Sequence, residues 1–289
     1  MPEWQSLFSV LRENDINVSL HDMPRPVGGG DISAAWRIKA EGNSVFLKTG
    51  PAESLAMFQA EADGLRELQK ADAVRVPNVL GCVSSGTESL LALEWIDFEL
   101  ADSATEKMLG QQLAKQHRYC ENRFGWHKDN TIGSTPQHNL WNDDWVEFLA
   151  EDRLGFQLEL AAKNGFTGDL QVEGAALCKN LGQFFADSWP EASLLHGDLW
   201  GGNWAAADGA PVIFDPAVYY GDRESDIAMT KLFGGFGASF YDAYEEAWPL
   251  SAGSEQRILL YQLYHVLNHL NLFGGSYLNR ALGIIRALS

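Results

Sequence analysis

Residues 195–203 read Leu-His-Gly-Asp-Leu-Trp-Gly-Gly-Asn, and Phe-Asp-Pro follows at 214–216. Asp198, Asn203 and Asp215 have the types and the order that phosphoryl transfer requires: a carboxylate to accept the proton of an attacking hydroxyl, then an amide and a carboxylate to hold magnesium. Magnesium prefers hard oxygen ligands and commonly takes one or two from protein, with phosphates and waters completing its shell. Asp and Asn are equally at home in plain turns, so the chemistry depends on whether the three converge.

The elements around them predict that they do. Residues 203–207 and 211–214 read as short strands. Asp208-Gly209 between them is a two-residue hairpin signal, because Gly accepts the positive φ such turns need. With those two at the tip, Ala207 faces Ala210, and Asp215 comes to lie opposite Gly202, beside Asn203. An amide oxygen and a carboxylate then meet at the open end of one hairpin. Asp198 lies on the loop entering it and can reach the same place.

A second set of groups lies upstream. Placed at about 100° per residue, the helix expected over 52–70 carries Met57, Phe58, Ala62, Leu65 and Leu68 on one stripe. Glu61 is the one charged residue inside that stripe; Glu53, Asp63, Arg66, Glu67 and Lys70 fall outside it. A carboxylate turned inward must be paired or protonated. Lys48, at the end of Val45-Phe46-Leu47-Lys48, is the natural partner, and a strand lysine held by a helix glutamate is how kinases present an ammonium to the α/β-phosphates. Gly28-Gly29-Gly30 precede this strand where a loop must approach phosphates closely, which glycine permits. No G-x-x-x-x-G-K-[ST] occurs, so a P-loop fold is disfavoured.

Composition narrows the class. The chain has 289 residues, 46% hydrophobic and 21% charged, enough for two lobes of a globular protein. Its net charge of −18, from 21 basic and 39 acidic residues, repels nucleic acid and anionic membranes. No apolar run approaches ~20 residues, so no membrane span is expected. Met1-Pro2-Glu3-Trp4 lacks the basic and apolar regions of a signal peptide. Cys82, Cys120 and Cys178 are odd in number and scattered, which fits reduced thiols in a cytoplasm.

The element pattern reads as α+β. An amphipathic helix is expected over 3–15, strands over 35–40, 44–49, 74–83 and 90–96, and one helix over 52–70. Helices then follow at 104–122, 143–163, 172–188, 224–233, 239–248, 254–272 and 276–288, with the Asp198 hairpin as the main exception. The expected division is a nucleotide-binding lobe at 1–97, built on a small antiparallel sheet with one key helix, and a larger, mainly helical catalytic and substrate lobe at 98–289.

His196-Gly197-Asp198-Leu199-Trp200-Gly201-Gly202-Asn203 with Phe214-Asp215-Pro216 resembles the fructosamine kinase (ketosamine-3-kinase) family, relatives of the aminoglycoside phosphotransferases in the protein-kinase-like fold. The likeness extends through Tyr219 to Met229, Phe124-Gly125-Trp126 and Asp129 to Gln137. His-Gly-Asp with a later Asp marks the superfamily. Trp200 and the Asn130–Gln137 segment are more specific to this family. The resemblance implies that Asp198 is the base, that Asn203 and Asp215 hold Mg2+, and that Lys48 and Glu61 fix the phosphates of ATP. It also implies that the backbone of Leu93-Glu94-Trp95-Ile96 holds the adenine. Members phosphorylate the 3-hydroxyl of ketosamines, and the product falls apart and frees the amine, which makes the role deglycation. Some relatives carry a redox cysteine in the glycine loop. Here Asp31 follows the glycines, and no such switch is implied.

The acceptor side is read from residue types. A polyol needs aromatic faces for its C–H surfaces and amides for its hydroxyls. Trp200, Trp126, Asn130 and Gln137 are candidates, and Asp222 and Glu224 could meet the secondary ammonium of a ketosamine. Asp226 is expected to anchor the catalytic loop instead. His265 and His269 have zinc-like spacing but lack a metalloprotease glutamate and read as a packed or surface pair. No Gly-x-Ser-x-Gly nucleophile motif occurs. Two alternatives stay open: a kinase for another small amino-alcohol, such as an aminoglycoside, choline or homoserine, and a non-catalytic nucleotide-binding scaffold.

Overall fold

Period-2 alternation builds the front of the molecule. In the computed structural model, which describes residues 4–13, 23–28, 33–40 and 43–289, five strands form one antiparallel sheet in the order β1-β2-β3-β5-β4. They are β1 (Arg25–Pro26), β2 (Ala34–Ala40), β3 (Asn43–Pro51), β4 (Val79–Ser85) and β5 (Glu88–Glu94). Val45 and Leu47 of β3, with Leu90 and Ala92 of β5, pack under helix α1 (Trp4–Glu13) through Trp4, Leu7, Phe8 and Leu11. The alternate residues Leu91 and Leu93 join Phe58, Ala62, Leu65 and Leu68 of α2 (Leu55–Lys70) on the opposite face. Lys48 shares that second face because it lies one residue beyond Leu47. Gly29, Gly30 and Asp31 lie outside the described residues.

The expected 74–83 strand is corrected to Val79–Ser85. Pro77 interrupts the run, and Arg75 instead makes a parallel bridge to Val212 of the rear hairpin. The stripe on α2 was also incomplete. Glu67, read as outward, is 7% exposed, because the rear of the molecule covers that side of the helix.

Behind the sheet, helix α3 (Ser103–His117) begins at an Asp102 cap whose carboxylate accepts from the Thr105 amide. It ends five residues before the expected limit, since Cys120–Glu121 forms strand β6. β6 pairs with β9 (Ala192–Leu195), which pairs with β12 (Tyr219–Gly221). Asn130–Ile132 (β7) and Thr135–Gln137 (β8) form a hairpin. These strands are two to four residues long and mostly buried, so they carry no alternation for a sequence pattern to reveal.

The remainder is helical: α4 (Trp145–Phe148), α5 (Phe156–Lys163), α6 (Asp169–Lys179), α7 (Glu224–Leu232), α8 (Ala238–Ala247), α9 (Ser254–Phe273) and α10 (Leu278–Leu288). A π-helical stretch, Leu149–Gly155, joins α4 to α5. The expected 172–188 helix divides into α6 and a short 3-10 turn at Leu181–Phe185. No helix among the described residues is long and apolar enough to cross a membrane.

Candidate active site

The hairpin forms in the register its turn dictates. Strands β10 (Trp204–Ala207) and β11 (Ala210–Ile213) pair Trp204 with Ile213 and Ala207 with Ala210. Asp208 and Gly209 both have positive φ, 52° and 73°, as such a turn demands. The ladder continues one step, with the Phe214 amide donating to the Asn203 carbonyl at 3.0 Å. Asn203 Nδ2 then donates to the Asp198 carbonyl at 2.8 Å and approaches Asp198 Oδ2 at 3.4 Å and the Asp215 carbonyl at 3.5 Å. The structure brings all three residues together.

The loop carrying Asp198 is held from beneath. Asp226 accepts from the His196 and Gly197 amides at 2.8 and 2.9 Å, and its Oδ2 also meets His117 Nε2 at 3.1 Å. Burial works against the Asp226 charge, yet His117, His196 and the Gly197 amide hold it below the usual carboxylate range. His196 bonds the Phe214 carbonyl through Nε2 at 2.9 Å and accepts the Ala217 amide at its own carbonyl at 2.8 Å, so one residue brackets Asp215 from both sides. Gly197 is required at φ 83°, where a Cβ would sit 2.0 Å from the Ala217 oxygen. The Asp198 carboxyl is pushed up to about 7, first by burial and then by the charges of Asp215 and Asp226.

Lys48 joins the two halves. Its ammonium donates to Glu61 Oε1 at 2.8 Å and to Asp215 Oδ1 at 2.7 Å. Burial pulls the lysine down, but Asp215 and Glu61 outweigh it and raise it above its ordinary range, so it stays cationic. Asp215 has φ 57°, a left-handed conformation that Asp tolerates better than most residues.

These groups line a cleft of about 1170 Å³. Toward the front sheet it is walled by Gly28, Phe46, Trp95, Ile96, Phe98 and Phe214, with the Phe98 and Phe214 rings stacked at 5.1 Å. The Glu94 side chain is engaged by Arg75 Nη2 at 2.8 Å and Asn78 Nδ2 at 2.8 Å. At the α9 end the wall is Trp200, Met229, Phe233, His269, Phe273 and Tyr277.

The expected acceptor residues divide. Trp200 lines the cleft, 40% exposed, with its ring over Gly202, where a Cβ would come within 2.2 Å of it. Asn130 also lines the cleft, but its amide is committed: Nδ2 donates to the Val218 carbonyl at 2.7 Å and Oδ1 accepts from Gln137 and Asn139, each at 2.8 Å. Gln137 is corrected from contact to support. It donates to the Ala217 carbonyl at 3.0 Å and accepts from Tyr264 at 2.7 Å, away from the lining. Trp126 is corrected to packing, 2% exposed outside the cleft. Asp222 and Glu224 are corrected likewise. Asp222 accepts from the Tyr261 hydroxyl at 2.5 Å, and Glu224 forms a two-pronged pair with Arg257 at 2.8 and 2.9 Å.

The sequence does not assign Phe233, His269, Phe273 and Tyr277 to the site, yet all four line the cleft. The available signal was partial: His269 and Phe273 lie four apart on α9, but Gly274 at φ 93° ends that helix and Tyr277 comes from the turn beyond it. His265, the other half of the discounted pair, is buried and pushed down to about 3 by desolvation.

The donor set suits magnesium. The Asn203 amide nitrogen is committed to Asp198, which leaves its oxygen, and the Asp215 side chain is 40% exposed. Among the described residues no cluster of three His, Cys, Asp or Glu side chains forms a self-sufficient metal cage. A two-oxygen site that relies on phosphates and water for the rest is what this cation accepts.

A lysine held toward a metal-type aspartate, opposite a loop-borne carboxylate with a raised pKa, defines a phosphotransferase of the kinase-like class. Known proteins agree. The sequence profile of the fructosamine kinase family matches residues 3–289. A probable ketoamine kinase of Synechocystis is 44% identical over 280 residues, 96% of this chain and 94% of its own. The chloroplastic protein-ribulosamine 3-kinase of Arabidopsis thaliana is 43% identical over 264 residues, 90% of this chain and 80% of its own. The solved structure of a fructosamine-3-kinase candidate from Haemophilus somnus superposes with a TM-score of 0.89 at 30% identity, covering 99% of this chain and 97% of its own. An aminoglycoside phosphotransferase at 17% identity and a TM-score of 0.59 shares the fold. The chain belongs to the fructosamine kinase family, and it is a phosphotransferase with a hydroxyl acceptor.

Proposed function

We propose that this enzyme transfers the γ-phosphoryl group of ATP to a sugar hydroxyl of a ketosamine, the 3-hydroxyl, and so starts the release of the amine. The observation that carries the reading is the convergence of Asp198, Asn203, Asp215, Lys48 and Glu61 at one cleft. Residues 1–97 act as the nucleotide lobe and 98–289 as the catalytic and substrate lobe. Lys48, steadied by Glu61, meets the α/β-phosphates, and Gly28, which lines the same cleft, lets the backbone come close to them. The backbone of Glu94, Trp95 and Ile96 faces the base. Asn203 and Asp215 hold Mg2+, which neutralises charge on the phosphates when bound. Asp198 accepts the proton of the attacking hydroxyl, a role suited by a pKa near the working pH. Trp200 offers its face to the sugar. The three cysteines are unpaired, which fits the reducing cytoplasm where we place the activity.

The test is a phosphorylation assay of pure protein with ATP and magnesium on ribulosamine and fructosamine compounds, against aminoglycosides, choline and homoserine. Transfer to a ketosamine, with the phosphate at the 3-oxygen by NMR, is the expected result. Transfer to choline alone would sink the substrate reading. ATP binding without turnover on the whole panel would favour a scaffold.

A further inference from the structure

Helix α2 carries Glu61, and three of its residues touch the rear of the molecule directly. Gly64 lies against the segment that follows Asp215: a Cβ there would meet Val218 at 3.2 Å and Pro216 at 3.4 Å. Asp63 pairs with Lys128, and both side chains are 33% exposed. Glu67 Oε1 accepts from the Tyr220 hydroxyl at 2.8 Å, with Glu67 7% and Tyr220 2% exposed.

Magnitudes rank these contacts. A partly exposed ion pair such as Asp63–Lys128 is screened by water and contributes little. A buried hydrogen bond to a carboxylate contributes more, and leaving its partner unsatisfied costs more still. The phenol is raised by burial and by Glu67, so Tyr220 is a neutral donor throughout the working range. The Tyr220–Glu67 contact therefore dominates.

Tyr220 is also rigidly mounted. Its amide donates to the Gly125 carbonyl at 2.8 Å and its carbonyl accepts the Gly125 amide at 2.9 Å. On its other side it pairs with Leu194 of β9, the strand that delivers His196, Gly197 and Asp198. Five residues before it in the chain stands Asp215. One phenol thus links α2, the strand behind the catalytic loop and the segment of the proposed metal ligand.

We propose that Tyr220 and Glu67 are positioning residues for phosphoryl transfer. Their buried hydrogen bond fixes α2 against the Asp215–Tyr220 segment, which keeps Glu61, Lys48 and Asp215 in register. The inference rests on the proposed roles of Lys48 and Glu61. It makes α2 a fixed part of the site, with the Lys48 arrangement assembled before the nucleotide arrives.

The experiment is a double-mutant cycle read in kcat and KM, with thermal unfolding recorded beside it. Tyr220→Phe is expected to lower kcat/KM for ATP roughly tenfold, the size of one charge-assisted hydrogen bond. In a Glu61→Gln background the same change is expected to cost less than about twofold, because the residue it acts through is already lost. Wild-type kinetics for Tyr220→Phe would overturn the inference, and so would an equal tenfold loss in the Glu61→Gln background, which is what a purely structural role gives. If Glu61→Gln alone turns over at the wild-type rate, the reading of Glu61 fails as well, and the two failures are thereby told apart. Should Tyr220→Phe not fold, Glu67 asks the same question from the other side. Glu67→Gln keeps an acceptor oxygen and is expected to retain most of kcat/KM, whereas Glu67→Ala loses it; equal kinetics in the two variants would overturn the proposal.

Discussion

Two buried ion pairs, Lys48–Glu61 and Arg257–Glu224, set chemistry against architecture. Both join a helical glutamate to a buried cation, at 2.8 Å in each case. Lys48 has a second partner, Asp215, whose side chain is 40% exposed. Its compact ammonium can shift between carboxylate and phosphate oxygens. Arg257 is enclosed. Its guanidinium also donates to Ser251 Oγ at 2.6 Å and to the Ala252 carbonyl at 3.0 Å, and it is not among the residues lining the active-site cleft. A planar fork with its donors taken holds α9 to the start of α7 and has nothing left for a ligand. Burial and charge are shared; an open coordination position on the cation separates the two.

Mutations can break this contrast. The largest loss is expected outside both pairs: Asp198→Asn should lower kcat by roughly 10²–10⁴, the range of a general-base contribution, with ATP affinity nearly unchanged by calorimetry. Retained turnover would remove Asp198 from that role. Arg257→Met should leave Glu224 buried and unpaired and lower stability by about 3–5 kcal/mol in urea unfolding, while KM for ATP stays at its wild-type value. Lys48→Met should weigh on activity instead, lowering kcat by roughly 10²–10³, as loss of one preorganised electrostatic contact does, and should cost less stability than Arg257→Met because Glu61 borders the cleft, where water reaches it. If Lys48→Met and Arg257→Met gave the same pattern, the contrast would collapse. Asp215→Asn should move the magnesium requirement to higher concentration by roughly tenfold, read from initial rates across a metal titration. An unchanged titration would show that the cation sits elsewhere.

The hairpin was legible because its turn is local chemistry. Asp208-Gly209 sets the register, and the register sets where Asp215 falls relative to Asn203. Lys48 and Glu61 were legible because strand and helix periods assign faces without reference to anything distant. Glu67 was misread for an instructive reason. The stripe on α2 was drawn for packing on its own sheet, whereas Glu67 is covered by Tyr220, 153 residues away. Asp222, Glu224 and Gln137 failed in the same way. Each is the right type to touch a sugar, but its partner is a distant side chain or backbone group that no spacing rule could supply.

The sequence by itself determined the reaction class, the order of the groups that carry it and the register that joins Asn203 to Asp215. These follow from turn chemistry and periodicity within segments of about 20 residues or fewer. The tertiary structure decided which polar groups remain available. Asn130 faces the cleft with its amide already bonded to Val218, and His269, whose spacing suggested a packed or surface pair, lines the cleft. Whether a polar atom is free depends on every element packed around it, and that is settled only when distant segments close together.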